Sequence, residues 1–241
     1  MKSKTARSTM GIFVLVICGL APARVAAQKW SAGTYGVAEY DTKKTLLLLA
    51  GISGGPAGLG VKPRIGVQAY ELGFDNGPGG RTNAFVVKPY VGLTNNYSGG
   101  ALSGSVGYAF SNRNEKIAGG PAITSDNGKG VVVSGGLDYW GTGGPAGYQV
   151  LGSYNFGSSS LWARGRATTR LGQSSTHAGV ELAFLNESSN GTNFTAVQPG
   201  ALLQFYSPTG SILGLGAGMK FFQGGTNAVY FKVEGYAPLA K

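Results

Sequence analysis

Alternation with a period of two runs through nearly the whole chain, and it leaves few folds open. Short segments switch strictly between apolar and small or polar residues. Clusters of Gly, Pro, Asn, Asp and Ser separate them. Successive side chains of a strand point to opposite faces, so this is the pattern of strands joined by turns. About twelve segments follow one another, starting near Trp30, Thr45, Val61, Thr82, Ala101, Gly130, Gly147, Ser159, Thr176, Phe194, Ser211 and Asn227. No stretch reads as a helix of normal length. Even spacing with short turns predicts a meander of antiparallel hairpins.

Several segments define two faces cleanly. Leu102, Gly104, Val106, Tyr108 and Phe110 share one face, against Ser103, Ser105, Gly107, Ala109 and Ser111. Leu161, Ala163, Gly165 and Ala167 oppose Trp162, Arg164, Arg166, Thr168 and Arg170. Leu213, Leu215, Ala217, Met219 and Phe221 oppose Gly214, Gly216, Gly218 and Lys220. Val229, Phe231 and Val233 oppose Tyr230, Lys232 and Glu234.

Which face meets water is a question of charge. Charged residues are 12% of the chain, about half the usual share for a soluble domain. The polar faces carry Gly, Ser, Ala, Thr and Tyr with isolated charges, which suits an enclosed lumen better than a water-facing exterior. Aromatic residues gather near segment ends, as in Tyr108 with Phe110, Tyr154 with Phe156 and Phe221 with Phe222. Interfacial girdles place them there. The expectation is an all-β, antiparallel, up-and-down transmembrane β-barrel of about twelve strands, within a range of roughly 10 to 14. A soluble secreted β-sandwich that binds carbohydrate is the alternative for the same alternation.

The first 27 residues read separately. Lys2, Lys4 and Arg7 precede the apolar run Met10 to Ala21, and Val25-Ala26-Ala27 supplies small residues for cleavage. This is the layout of a secretory signal, and the run is too short to span a bilayer as a helix. Residues 28–241 then form the barrel, exported to the cell outer membrane. Removing the leader removes Cys18, the only cysteine, and leaves 16 basic against 10 acidic residues. No basic run exceeds Lys43-Lys44, so no nucleic-acid partner is indicated.

With the N-terminus in the periplasm, the longer connections 113–129, 75–81 and 186–193 face outward, and 141–146, 172–175 and 207–210 face inward. Longer outer loops are the expected asymmetry. Pro63, Pro89 and Pro199 fall within segments, where a residue without an N–H interrupts a ladder, and they point to bulges or strand ends.

Motifs for catalysis are sparse. His177 is the only histidine, and no carboxylates stand at metal-ligand spacing around it. His177 and Glu181 share a face, with Ser174 and Ser175 just before them. That is a fragment of a hydrolase triad, and a barrel-wall lipid hydrolase using His177 remains an alternative function. The run Gly54 to Gly60 lacks the Lys-Ser/Thr ending of a phosphate loop. Neither a cofactor nor a metal is expected, and the leading expectation is not an enzyme.

The inward polar set carries most information. Arg64, Lys88, Arg164, Arg166, Arg170, Lys220 and Lys232 are expected to line the lumen, with Asp138, Glu181 and Glu234. A basic lumen favours an anionic solute, whereas charge pairs across it simply fill it. Both readings stay open at this point.

These features resemble a small Gram-negative outer-membrane barrel protein across residues 28–241. The resemblance implies outer-membrane lipid and the barrel-insertion machinery as partners. The chain ends Tyr236-Ala-Pro-Leu-Ala-Lys241, where such barrels usually end on an aromatic residue. A looser similarity to barrel proteins of bacterial cellulose-synthesis operons rests on Trp162-Ala-Arg-Gly-Arg166, His177-Ala-Gly-Val-Glu181-Leu and Gly214-Leu-Gly-Ala-Gly218. It implies a role in polysaccharide export or surface anchoring.

Overall fold

The computed structural model describes residues 30–75, 80–116, 122–125, 128–139, 146–189, 192–223 and 225–240. The expected leader, 1–27, lies outside the described residues. The strands are β1 (Trp30–Asp41), β2 (Leu46–Pro56), β3 (Gly60–Phe74), β4 (Arg81–Tyr97), β5 (Gly100–Lys116), β6 (Ala122–Ser125), β7 (Gly130–Tyr139), β8 (Ala146–Asn155), β9 (Ser160–Arg170), β10 (Thr176–Ser189), β11 (Thr192–Tyr206), β12 (Ile212–Phe222) and β13 (Ala228–Ala240). Leaving β6 aside, every strand starts within two residues of its expected position.

All pairings are antiparallel between neighbours, and β13 returns to β1 through pairs such as Tyr35↔Tyr236 and Asp41↔Tyr230. That last pairing closes a barrel of twelve strands among the described residues. Closure removes both sheet edges, which a two-sheet sandwich would keep. The soluble-sandwich alternative is therefore overturned by the fold. Of the ends of the barrel, the near end holds Trp30 and Ala240, and the far end holds the β1–β2 turn.

The alternation sets apolar side chains outward. On β13, Phe231 is 62% exposed while its neighbours Tyr230 and Lys232 are 0% and 5% exposed. Leu102, Val106, Tyr108 and Phe110 on β5, and Leu213, Leu215, Met219 and Phe221 on β12, also face out. A continuous apolar exterior around charged inner faces is the inside-out arrangement of a lipid-embedded barrel.

Inward tyrosines pack flat across glycines of neighbouring strands. A Cβ on Gly51 would strike the Tyr35 ring, one on Gly33 the Tyr236 ring, and one on Gly200 the Tyr230 hydroxyl. Glycine in a strand permits such close approach, and the ring covers the backbone that glycine leaves bare. This accounts for much of the glycine in the strands.

Two sequence expectations need correction. Two of the three longer outward connections, 113–129 and 186–193, are shorter than expected, because the strands themselves run on, while the connection between β3 and β4 falls where expected. β5 continues to Lys116 and pairs with β6 from Arg113, and β10 and β11 continue to Ser189 and Thr192. Polar residues in register keep making ladder bonds above the apolar belt, so height replaces loop length. Pro63 lies near the start of β3, past the end of the β2–β3 ladder, but Pro89 and Pro199 mark neither bulges nor strand ends. Pro89 pairs with Val67 on β3, but the β4–β5 ladder skips from Val87↔Phe110 to Tyr90↔Gly107 without changing register. Pro199 pairs with Leu182 on β10, and the β11–β12 ladder skips from Val197↔Phe221 to Gly200↔Gly218. Each proline drops bonds toward one neighbour and keeps those toward the other.

Candidate functional site

The inner wall collects the polar residues that alternation turns away from the apolar belt. On β9, β10 and β13 they form one buried ionic network. Arg166 makes a forked contact with Glu234, Nη1 to Oε1 at 2.5 Å and Nη2 to Oε2 at 2.9 Å. Its Nη2 also donates to Glu181 Oε2 at 2.6 Å. Lys232 donates to Glu181 Oε1. Arg164 lies 3.6 Å from Glu234 and 3.8 Å from Glu181. Arg164 also donates to Gln149 on β8 at 2.7 Å, and Gln149 donates to Asp138 on β7. Three cations thus meet two carboxylates, and Gln149 links Arg164 to a third, Asp138. Charge-assisted and bidentate bonds of this kind are strong, and they offset the cost of taking the charges out of bulk water.

A second cluster sits nearer the far end. Lys220 on β12 lies 2.7 Å from Glu39 and 2.9 Å from Asp41 on β1. Gln198 on β11 donates to Glu39 at 2.8 Å. Asp41 is fully buried, and its Oδ1 also accepts the backbone N–H groups of Lys43 and Thr45, each at 2.9 Å. One carboxylate thereby pins the β1–β2 turn and neutralises a lysine. Glu39 and Asp41 are absent from the sequence-based lumen set, although the alternation of β1 places them on one face with Tyr35. They narrow the basic excess expected from seven cations against three acids.

The wall formed by β3 and β4 differs. Arg64 and Lys88 lie on its inner side and are partly buried. Neither makes a hydrogen bond or ion pair among the described residues, and the Arg64 Nε is buried without an acceptor. Tyr35, Tyr236 and Asp138 are the groups within electrostatic reach of Arg64. Lys88 pairs in register with Gln68, four residues along β3 from Arg64. The two cations are therefore about 13 Å apart along the barrel wall, with Tyr90 between them.

Arg170 lies at the near end opposite His177, with no ion pair. His177 is buried, its ring 4.6 Å from that of Tyr206, and its Nδ1 has no partner. The suggested triad is not assembled. Glu181 is committed to Arg166 and Lys232, and the Ser174 hydroxyl donates to the Leu171 carbonyl at 2.7 Å within a turn. Among the described residues no cluster of His, Cys, Asp and Glu could hold a metal.

At the far mouth the taller strands meet. Arg113 on β5 lies 3.9 Å from Glu187 on β10, and its guanidinium stands over the Phe74 ring. Four strand steps separate β5 from β10 around the wall, so this contact crosses the opening.

No protein-family model matches the sequence, and no curated protein matches it. Solved structures are similar in fold. The chain is similar to the translocator domain of autotransporter NalP from Neisseria meningitidis, at 9% identity over 95% of each chain with a TM-score of 0.52. The beta domain of the Bordetella autotransporter BrkA follows at 12% identity, covering 88% of this chain and 99% of that one, with a TM-score of 0.47. Pseudomonas aeruginosa OccK5 has 7% identity over 87% and 97%, with a TM-score of 0.40. At such identities the NalP likeness speaks for the closed barrel fold alone.

Proposed function

We propose that the protein is a non-enzymatic outer-membrane barrel whose lumen is a narrow, anion-leaning passage. The apolar exterior supports the membrane setting, and the solved barrel of similar fold from NalP, named as a translocator domain, agrees with a transport role. On this reading the near end faces the periplasm. The partners are outer-membrane lipid, the insertion machinery that receives the exported chain, and a small anionic solute. A role in polysaccharide export rests on the sequence resemblance of the C-terminal third.

One observation carries the anion preference: Arg64 and Lys88 are inner-wall cations without a carboxylate in contact among the described residues, while the cations of the opposite wall are paired with Glu181 and Glu234. A permeating anion would supply the missing counter-charge and shed it easily, which conduction requires. The test is a planar bilayer under a KCl gradient. Expected is a reversal potential of the sign set by chloride, which inverts in the Arg64→Glu/Lys88→Glu double variant. Absence of conductance would end the passage reading, and an unaltered reversal potential would end the role of these two residues.

A further inference from the structure

Outside the lumen, the outward face of β3–β5 changes character toward the far end. Nearer the middle it carries Val67, Val91, Tyr108 and Phe110, all exposed. Farther on it carries Glu71, Asn83, Asn112 and Asn114 around the exposed ring of Phe85. Register makes these direct neighbours: Glu71↔Phe85↔Asn112 form one row, and Asn83↔Asn114 the next. Together with Ala84 they line a cleft of about 230 Å³.

The hydrogen-bonding state of this cleft is open. The Asn83 side-chain oxygen accepts from Arg81 Nε at 3.3 Å, and that of Asn114 accepts from the Thr124 hydroxyl at 2.8 Å. Both amides are thus held by their oxygens, and their NH2 groups make no hydrogen bond among the described residues. The Glu71 carboxylate and the Asn112 amide make no hydrogen bond among the described residues. Paired donors and acceptors beside an aromatic ring suit a ligand with many vicinal hydroxyls and an apolar ring face. A phosphate is disfavoured, because the only charge lining the cleft is a carboxylate and Arg81 is engaged by Asp75 at 3.1 Å.

We infer that this cleft binds the neutral sugar headgroup of a glycolipid in the outer leaflet. Position selects that source of hydroxyls. The cleft continues the apolar belt upward on the same face, where lipid tails give way to headgroups. The inference rests on the belt lying in lipid, and a carbonate wash tests that separately. A washed membrane that keeps the protein leaves the lipid setting standing, and release of the protein ends both.

The test uses the full-length protein in detergent and native mass spectrometry with three probes: core-length lipopolysaccharide, lipid A stripped of its core sugars and soluble core oligosaccharide. The wild type is expected to hold the core-length glycolipid about tenfold more tightly than lipid A. The Glu71→Ala/Asn112→Ala/Asn114→Ala variant is expected to lose that margin, as removal of a few hydrogen bonds implies. A heat-induced gel shift checks that the variant is folded. Asn112→Ala alone, which removes no intramolecular bond, should lower affinity about threefold if the triple variant does not insert. Equal binding of both lipids by the wild type, retention of the margin by a folded triple variant, or binding of the soluble oligosaccharide alone would each overturn the inference.

Discussion

The two walls of the lumen handle charge in opposite ways. On β9, β10 and β13, Arg164, Arg166 and Lys232 are matched by Glu181 and Glu234, and each carboxylate serves more than one cation. On β3 and β4, Arg64 and Lys88 stand without a carboxylate in contact among the described residues. The first arrangement ties strands distant in sequence, since Arg166 and Glu234 are 68 residues apart. It is a brace. The second makes no ion pair among the described residues, and only Arg64 has a carboxylate, Asp138, within electrostatic reach. Inward charge alone therefore says little about transport. Whether a charge is already satisfied decides if it can act on a solute.

Removing a brace carboxylate should have the largest effect. Glu181→Ala leaves Lys232 and Arg166 facing each other in a buried site and is expected to cost about 3–5 kcal/mol. Urea unfolding in liposomes, followed by tryptophan fluorescence, measures it. A midpoint equal to that of the wild type would show that the network is hydrated and adds no brace.

The tyrosine–glycine contacts should separate the walls next. Gly200→Ala pushes a Cβ into both the Tyr230 hydroxyl and the Ala217 carbonyl, so neither can yield freely, and a loss of about 1–3 kcal/mol is expected. For Gly51→Ala the nearest atoms all belong to the Tyr35 ring, which can swing, so this variant should cost less in the same titration. The reverse order would mean that the open wall is the tighter one.

Lys88→Met should change stability by no more than about 1 kcal/mol in either direction, because no partner is stranded. Its effect is expected in the bilayer instead, as a weaker preference for chloride. If Lys88→Met unfolds as readily as Glu181→Ala, the contrast between the walls fails. Smallest is Arg113→Ala at the far mouth. Its pair with Glu187 is long and partly exposed, so stability should fall by less than about 1 kcal/mol. Single-channel conductance is the sharper readout there, and it should rise as the crossing contact is lost.

The strand pattern was legible because parity along a strand is local. Tyr230, Phe231 and Lys232 announce their faces by sequence alone, and β13 follows them. The ends were less legible. Asn114 and Glu187 look like loop residues, yet they continue ladders above the belt, because ladder bonds do not depend on apolar side chains. The prolines misled for a related reason. A missing N–H at Pro89 or Pro199 costs bonds on one side only, and the opposite ladder holds the strand straight.

Within the site, all ten lumen candidates could be named from alternation, but their partners could not. Lys220 looked like one more free cation until Glu39 and Asp41 came round to it from β1. His177 and Glu181 looked like a pair until Glu181 was taken by Arg166 and Lys232.

By itself the sequence determined what a period of two can encode: the approximate number of strands, which side chains share a face, and that the charged face needed enclosing. Tertiary structure alone decided which charges meet. Closure of β13 on β1 and the stagger of each ladder set the height of every inner residue, and both are sums over the whole barrel. No local segment contains that information, so Arg166 finds Glu234 and Lys88 finds nothing only once the ring is complete.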